Sequence, residues 1–131
     1  MSKTVKIAVD AMGGDNSPKK VIDGIIHNHQ FDSNNFYKIF GDKEKIETLI
    51  NSKIDKNNFE VVNTLNKVKS EDSPLEAAKK GKDTSMWLAI ESVKNKDCDI
   101  VISAGNTGAL LVISKLNLKM IENIDKPALS A

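Results

Sequence analysis

Two short stretches hold most of the residues with chemistry to offer. DAMGGDN at 10–16 closes one apolar run and SAGNTG at 103–108 closes another. Glycine allows a backbone to approach a ligand closely or to take positive φ, while Ser103, Asn106 and Thr107 bring hydroxyl and amide hydrogen bonds without charge. Where such a loop leads from a strand into a helix, it presents unpaired N–H groups and the positive end of a helix dipole, so each loop is a candidate anion cradle. Neither is a standard nucleotide signature: the first lacks the third glycine of GxGxxG, and the second lacks the Gly-Lys-Ser/Thr that ends a P-loop. The competing reading of both is a tight turn that needs glycine for its own geometry.

Asp10 and Asp15 would oppose an anion unless they hold a metal, orient donors or cap the following helix. At a strand end, Asp10 suits an orienting or structural hydrogen-bonding role, and Asp15 suits a cap. All nineteen basic residues are lysine, so an anion site in this chain must use lysine or backbone N–H groups and not guanidinium forks. The single cysteine, Cys98, has no Cys or His at metal-ligand spacing and reads as a small buried hydrophobe. His27 and His29 fall at a helix end, where capping or exposure is favoured over metal binding.

The elements that must carry these loops can be read from periodicity. Residues 5–9 suit a strand buried on both faces, and Ser17-Pro18 reads as the N-cap and first residue of a helix to about residue 28. In that helix Val21, Ile22, Ile25 and Ile26 form one stripe. Residues 36–40 alternate as a second strand, followed by a helix over 43–51 with Ile46, Leu49 and Ile50 on one face. A third strand at 59–62 precedes a polar, aperiodic surface loop at 63–72. Ser73-Pro74 opens another helix, which Gly81 interrupts. A second helix capped near Asp83 then buries Met86, Ala89, Ile90 and Val93. Residues 99–103 form a fourth strand, and the helix from Thr107 is apolar on more than one face. The turn at residues 124–129 looks like the entry to a fifth strand that the chain does not complete.

Strands alternating with helices predict an α/β fold with a mainly parallel sheet. At 131 residues, one domain with a real core is expected, since domains of this size bury roughly two thirds of their unfolded surface. The composition, 40% hydrophobic and 28% charged, is that of a globular protein, and no apolar run approaches the ~20 residues that span a bilayer. The start of the chain lacks the longer apolar stretch of a secretory signal, which leads to the expectation of a cytoplasmic protein. A net charge of +1 with interleaved lysines and acids argues against nucleic acid as a partner.

VKIAVDAMGGDNSP at 5–18, SAGNTGALL at 103–111 and DKPAL at 125–129 together resemble the PlsX-type phosphate acyltransferases of bacterial phospholipid synthesis. The segment SPLEAAKKGKDTSMWLAIESVK between the two loops resembles the family as well, so the likeness covers nearly the whole chain, though only the amino-terminal part of the much longer family members. The resemblance implies transfer of a fatty acyl group from acyl carrier protein to inorganic phosphate, with no cofactor. It also implies a three-layer α/β/α fold like those of isocitrate dehydrogenases and phosphotransacetylases, a homodimer, and peripheral association with the inner face of the membrane. Residues 1–131 would then be the amino-terminal portion of one larger α/β domain, cut near the start of its fifth strand.

That chemistry requires a held, partly desolvated phosphate and donors for the negative charge growing on the thioester oxygen. On the implied reading, Asp10 and Asn106 are the catalytic candidates, with Asp10 orienting its loop. Ser103, Gly105, Asn106, Thr107 and Gly108 would bind phosphate or the oxyanion, and Gly13, Gly14, Asp15 and Asn16 would form the facing wall. No metal is expected, and Cys98, placed before a strand, is badly sited as a nucleophile. Trp87 and Lys126 stand where the family often has arginine, and Trp87 is expected to pack. Two other readings stay open: a non-catalytic fragment that needs its missing half or a partner, and a phosphotransacetylase-like enzyme using coenzyme A.

Overall fold

The computed structural model of the chain describes residues 3–130. Four strands and five helices follow one another as β1 (Lys6–Asp10), α1 (Lys19–Phe31), β2 (Phe36–Gly41), α2 (Lys43–Ile50), β3 (Phe59–Asn63), α3 (Pro74–Lys79), α4 (Ser85–Lys94), β4 (Ile100–Ser103) and α5 (Thr107–Leu118). The strands form one parallel sheet in the order β3-β2-β1-β4. β1 is therefore central, and its alternation divides the core. Ile7 and Val9 pack with Tyr37 and Ile39 against Ile22, Ile25 and Ile26 of α1 and Ile46 and Ile50 of α2. Ala8 and Phe40 face the other way, against Ala89 of α4 and Cys98. α5 lies on α4, with Met86, Trp87, Ile90, Ala109 and Ile113 between them. The expected three-layer α/β/α architecture results, with Cys98 and Trp87 in its packing.

Local chemistry sets the helix ends. Asp42 caps α2 by accepting from the Lys45 N–H at 3.3 Å. Ser73 and Glu76 form a reciprocal capping box on α3, where Pro74 takes the first position. The cap of α4 is Thr84, which accepts from Trp87 N at 3.3 Å, one residue later than the sequence suggested. At α1 the expectation fails. Pro18 occupies the capping position without a side-chain bond, and the Ser17 hydroxyl turns back to donate to the Gly13 carbonyl at 2.5 Å. Ser17 thus fastens the preceding loop and is lost to the helix as a cap.

The loop at 64–72 departs from a plain surface loop, because Thr64 and Val68 are buried in it. Beyond α5 the described residues, which include the whole expected turn at 124–129, form neither helix nor strand. On β4, Ile100 and Ile102 lie on the α1 side but are 45% and 51% exposed, because α1 covers β1 and β2 and stops short of β4. Leu116 and Leu118 on α5 are also exposed.

Strand order decides where a ligand would meet this sheet. The loop after β1 leads to α1 on one face, and the loop after neighbouring β4 leads to α5 on the other. Such a reversal is the topological switch point of an open α/β sheet, at whose carboxyl edge ligands bind. Both glycine-bearing loops stand there.

Candidate functional site

Asp10 ends β1, in register with Ser103 on β4 and Phe40 on β2. Its side chain is 1% exposed, a costly position for a carboxyl group unless donors surround it. Three do. The Ser85 hydroxyl donates to Oδ1 at 2.6 Å, the Ser103 hydroxyl to Oδ2 at 2.8 Å, and the Met12 N–H to Oδ1 at 3.3 Å. Oγ of Ser103 in turn accepts from the Gly105 N–H at 3.1 Å. One buried carboxyl group thereby joins the end of β1, the first turn of α4 and the loop after β4.

The glycines serve the contact between the loops. A Cβ on Gly13 would lie 2.6 Å from Oδ2 of Asp10 and 3.0 Å from Cα of Gly105, and one on Gly105 would lie 3.2 Å from Cα of Gly13. Gly14, at φ +88°, turns the chain where a Cβ would strike the Ala104 carbonyl oxygen at 2.6 Å. Gly13, Gly14 and Gly105 thus let one loop lie directly on the other, so the two are stacked walls and not the two sides of an open gap. Asp15 and Asn16 are exposed at the rim, and Asn16 takes φ 57°, a left-handed conformation that asparagine tolerates.

Asn106 caps α5, its Oδ1 accepting from Ala109 N at 3.0 Å. Its Nδ2 donates to the carbonyls of Lys69, Ser70 and Asp72 at 3.3, 3.3 and 2.6 Å, binding the 64–72 loop to the helix start. The side-chain amide is thus fully engaged within the protein. What α5 offers a ligand is the set of first-turn N–H groups, including those of Thr107 and Gly108, which have no intrahelical acceptor, and the exposed Thr107 hydroxyl. Gly108 is hemmed in, since a Cβ there would meet Pro74 Cγ at 2.9 Å.

Two acids around this loop are shifted. The Lys80 ammonium, 2.5 Å away, and the Lys69 N–H hold the Asp72 carboxyl below the usual range, and the Ser73 N–H does the same for Glu76. Burial pushes the Cys98 thiol up, which suits its packing role. The His27 ring meets Phe31 edge-on at 4.9 Å. His29 keeps a buried Nδ1 without a hydrogen-bond partner. Among the described residues no three His, Cys, Asp or Glu side chains gather as a metal site, and no helix is long and apolar enough to cross a membrane.

Sequence reasoning missed Ser85, which sits in a helix start with nothing to mark it, and the 64–72 loop as a partner of both glycine loops. The family model for the fatty acid synthesis protein matches residues 5–131. The chain belongs to that family. It is 72% identical over 131 residues to the phosphate acyltransferase of Pelagibacter ubique, covering all of this chain and 39% of that protein. It is 40% identical to the phosphate acyltransferase of Streptococcus mutans over 124 residues and 38% identical to that of Enterococcus faecalis over 125. In both, 95% of this chain is covered, against 36% and 37% of the relative. The chain thus spans well under half the length of these relatives, and the resemblance carried by DAMGGD and SAGNTGA holds along its length.

Proposed function

We propose that this chain is the amino-terminal part of an enzyme that transfers a fatty acyl group from acyl carrier protein to inorganic phosphate, giving acyl phosphate for phospholipid synthesis. The observation that carries the proposal is the pair of loops knitted through Asp10 at the switch point, with the first turn of α5 beside them. In the reaction a phosphate oxygen attacks the thioester carbonyl carbon. A C–O bond forms, the C–S bond breaks, and the carrier leaves as its thiol after taking up a proton. Charge growing on the carbonyl oxygen needs donors already in place, and the free N–H groups at the start of α5 with the Thr107 hydroxyl supply them. Asp10, Ser103 and Asn106 are positioning residues here: they hold the loops, while Thr107 and Gly108 touch the substrate.

The remaining parts of the proposal are a homodimer and peripheral attachment at the inner face of the membrane. The uncovered Ile100 and Ile102 on β4 support a second point, that these 131 residues depend on further protein, either the rest of a longer chain or a second subunit, to cover the sheet. The test is a chimaera in which this chain replaces the matching segment of the Pelagibacter ubique protein, supplied with palmitoyl-acyl carrier protein and phosphate. Acyl phosphate should form with the chimaera. Its absence there, in a folded protein, would refute the function, whereas formation by the 131-residue chain alone would refute the dependence on a missing part.

A further inference from the structure

We infer that the cleft between the loop after β1 and the 64–72 loop is a binding site for a protonated phosphoryl anion, with Lys67 and Lys69 as its charged grip. The cleft encloses about 340 Å³ beside the two glycine loops. Gly14, Asp15, Asn16 and Ser17 line one wall, and Lys67 and Lys69 line the other.

The lysines project from a strap whose backbone is fixed. Val68 between them is 5% exposed and buried with Trp87, Ala109 and Ile113, so residues on either side of it are turned outward. Both lysines are exposed. The strap is held before them by the Thr64 hydroxyl, which donates to the Asp83 carbonyl at 2.5 Å, and by the Asn66 carbonyl, which accepts from Ser85 N at 3.0 Å. Behind them, Asn106 grips three of its carbonyls. Lys19, Lys38, Lys43, Lys45 and Lys80 are each within 4.0 Å of a carboxylate, whereas among the described residues neither Lys67 nor Lys69 makes such a pair. In a chain without arginine, these two lysines are the cations that line this cleft.

Asp15 and Glu71 also border the cleft, which selects among anions. An ionised carboxylate only accepts hydrogen bonds, so beside it a ligand must donate. Phosphate near neutral pH carries P–OH groups that can do so, and a monoester does in its singly charged form. Sulfate and phosphodiesters carry none, and a site built for a donor rejects the ligand that lacks it.

This deepens the proposed function, on which it rests for the need to bind phosphate here. The test reads binding and not turnover, so its failure would leave acyl transfer standing and the reverse also holds. Amide chemical shifts of the full chain would be followed during titration with inorganic phosphate, sulfate and diethyl phosphate. Phosphate should bind, perturb the 14–17 and 67–71 amides, and exceed sulfate and the diester in affinity by about tenfold. Lys67→Gln with Lys69→Gln should weaken phosphate about tenfold, and Asp15→Asn with Glu71→Gln should erase the preference over sulfate. Exposed lysines leave folding unchanged, which circular dichroism would verify. Unaltered phosphate affinity in the lysine double variant, or no phosphate binding by the parent, would overturn the site. Equal affinity for sulfate in the parent would overturn the choice of phosphate.

Discussion

The Ser85 hydroxyl donates to Oδ1 of Asp10 at 2.6 Å, a single bond that ties the first turn of α4 to the end of β1 across 75 positions of sequence. Both residues are 1% exposed. Ser85→Ala should therefore lower unfolding free energy by about 2 kcal/mol, since a buried acceptor loses one of its donors. Ser92→Ala, which removes a bond to the Ala89 carbonyl one turn back and a weak one with the Cys98 thiol, should cost about half as much. Urea denaturation of the two variants measures the difference, and equal losses would deny the Asp10 network its special weight.

Asn106 has two jobs that substitution can separate. Aspartate caps a helix about as well as asparagine, so Asn106→Asp should keep the bond to Ala109 N. The substituted side chain cannot donate, and it sets a carboxylate against the carbonyls of Lys69, Ser70 and Asp72. The 64–72 loop should then become sensitive to limited proteolysis, and stability should fall by about 2 kcal/mol. A stable, protease-resistant Asn106→Asp variant would mean that the cap alone matters.

Glycines of opposite standing make a paired test. Gly13→Ala drives a methyl group into Asp10 and Gly105 and should destabilise by about 2 kcal/mol. At Gly24, in the middle of α1, a Cβ meets nothing within 4 Å, so Gly24→Ala should stabilise by about 0.5–1 kcal/mol. Thermal melts of both variants give the two signs directly.

How much of this was legible in the sequence depends on the range of the forces involved. β-branched runs and 3.6-residue stripes placed every strand and helix to within a few residues, because each element's buried face is written locally, as in Ile22, Ile25 and Ile26. Polarity alone made 63–72 a surface loop, and a lone Val68 among lysines and serine gave no period from which its burial could be read. Ser17-Pro18 had the pattern of a cap, yet the Ser17 hydroxyl found the Gly13 carbonyl first. Asp10 could be suspected from its place at a strand end. Ser85 could not, since its partner comes to it only through the tertiary fold. Paired glycines signalled closeness but could not say to what, and it is Gly13 against Gly105.

Asp72 and Glu76 predict an acid-sensitive loop. Both carboxyl groups are held below their ordinary values, so what they contribute to stability is present above the unfolded-state values and is lost as pH falls through the lowered folded ones. Carboxyl carbon shifts followed by NMR during acid titration should place both below the chain's exposed acids. Lys80→Gln should raise Asp72, because the Lys80 hydrogen bond is the first cause of its shift, and leave Glu76 nearly where it was. An unmoved Asp72 would contradict that assignment.

Whether the first turn of α5 stabilises the charge that grows on the thioester oxygen is read from acyl transfer in the chimaera carrying Thr107→Asp. An acid in the first turn complements the helix dipole, so the fold should keep its stability, while the new carboxylate repels that growing charge and occupies the free N–H groups. The melting temperature should lie at or above the parent's, and kcat should fall at least about tenfold with the phosphate KM little changed. A kcat equal to the parent's would move the oxyanion site away from Thr107.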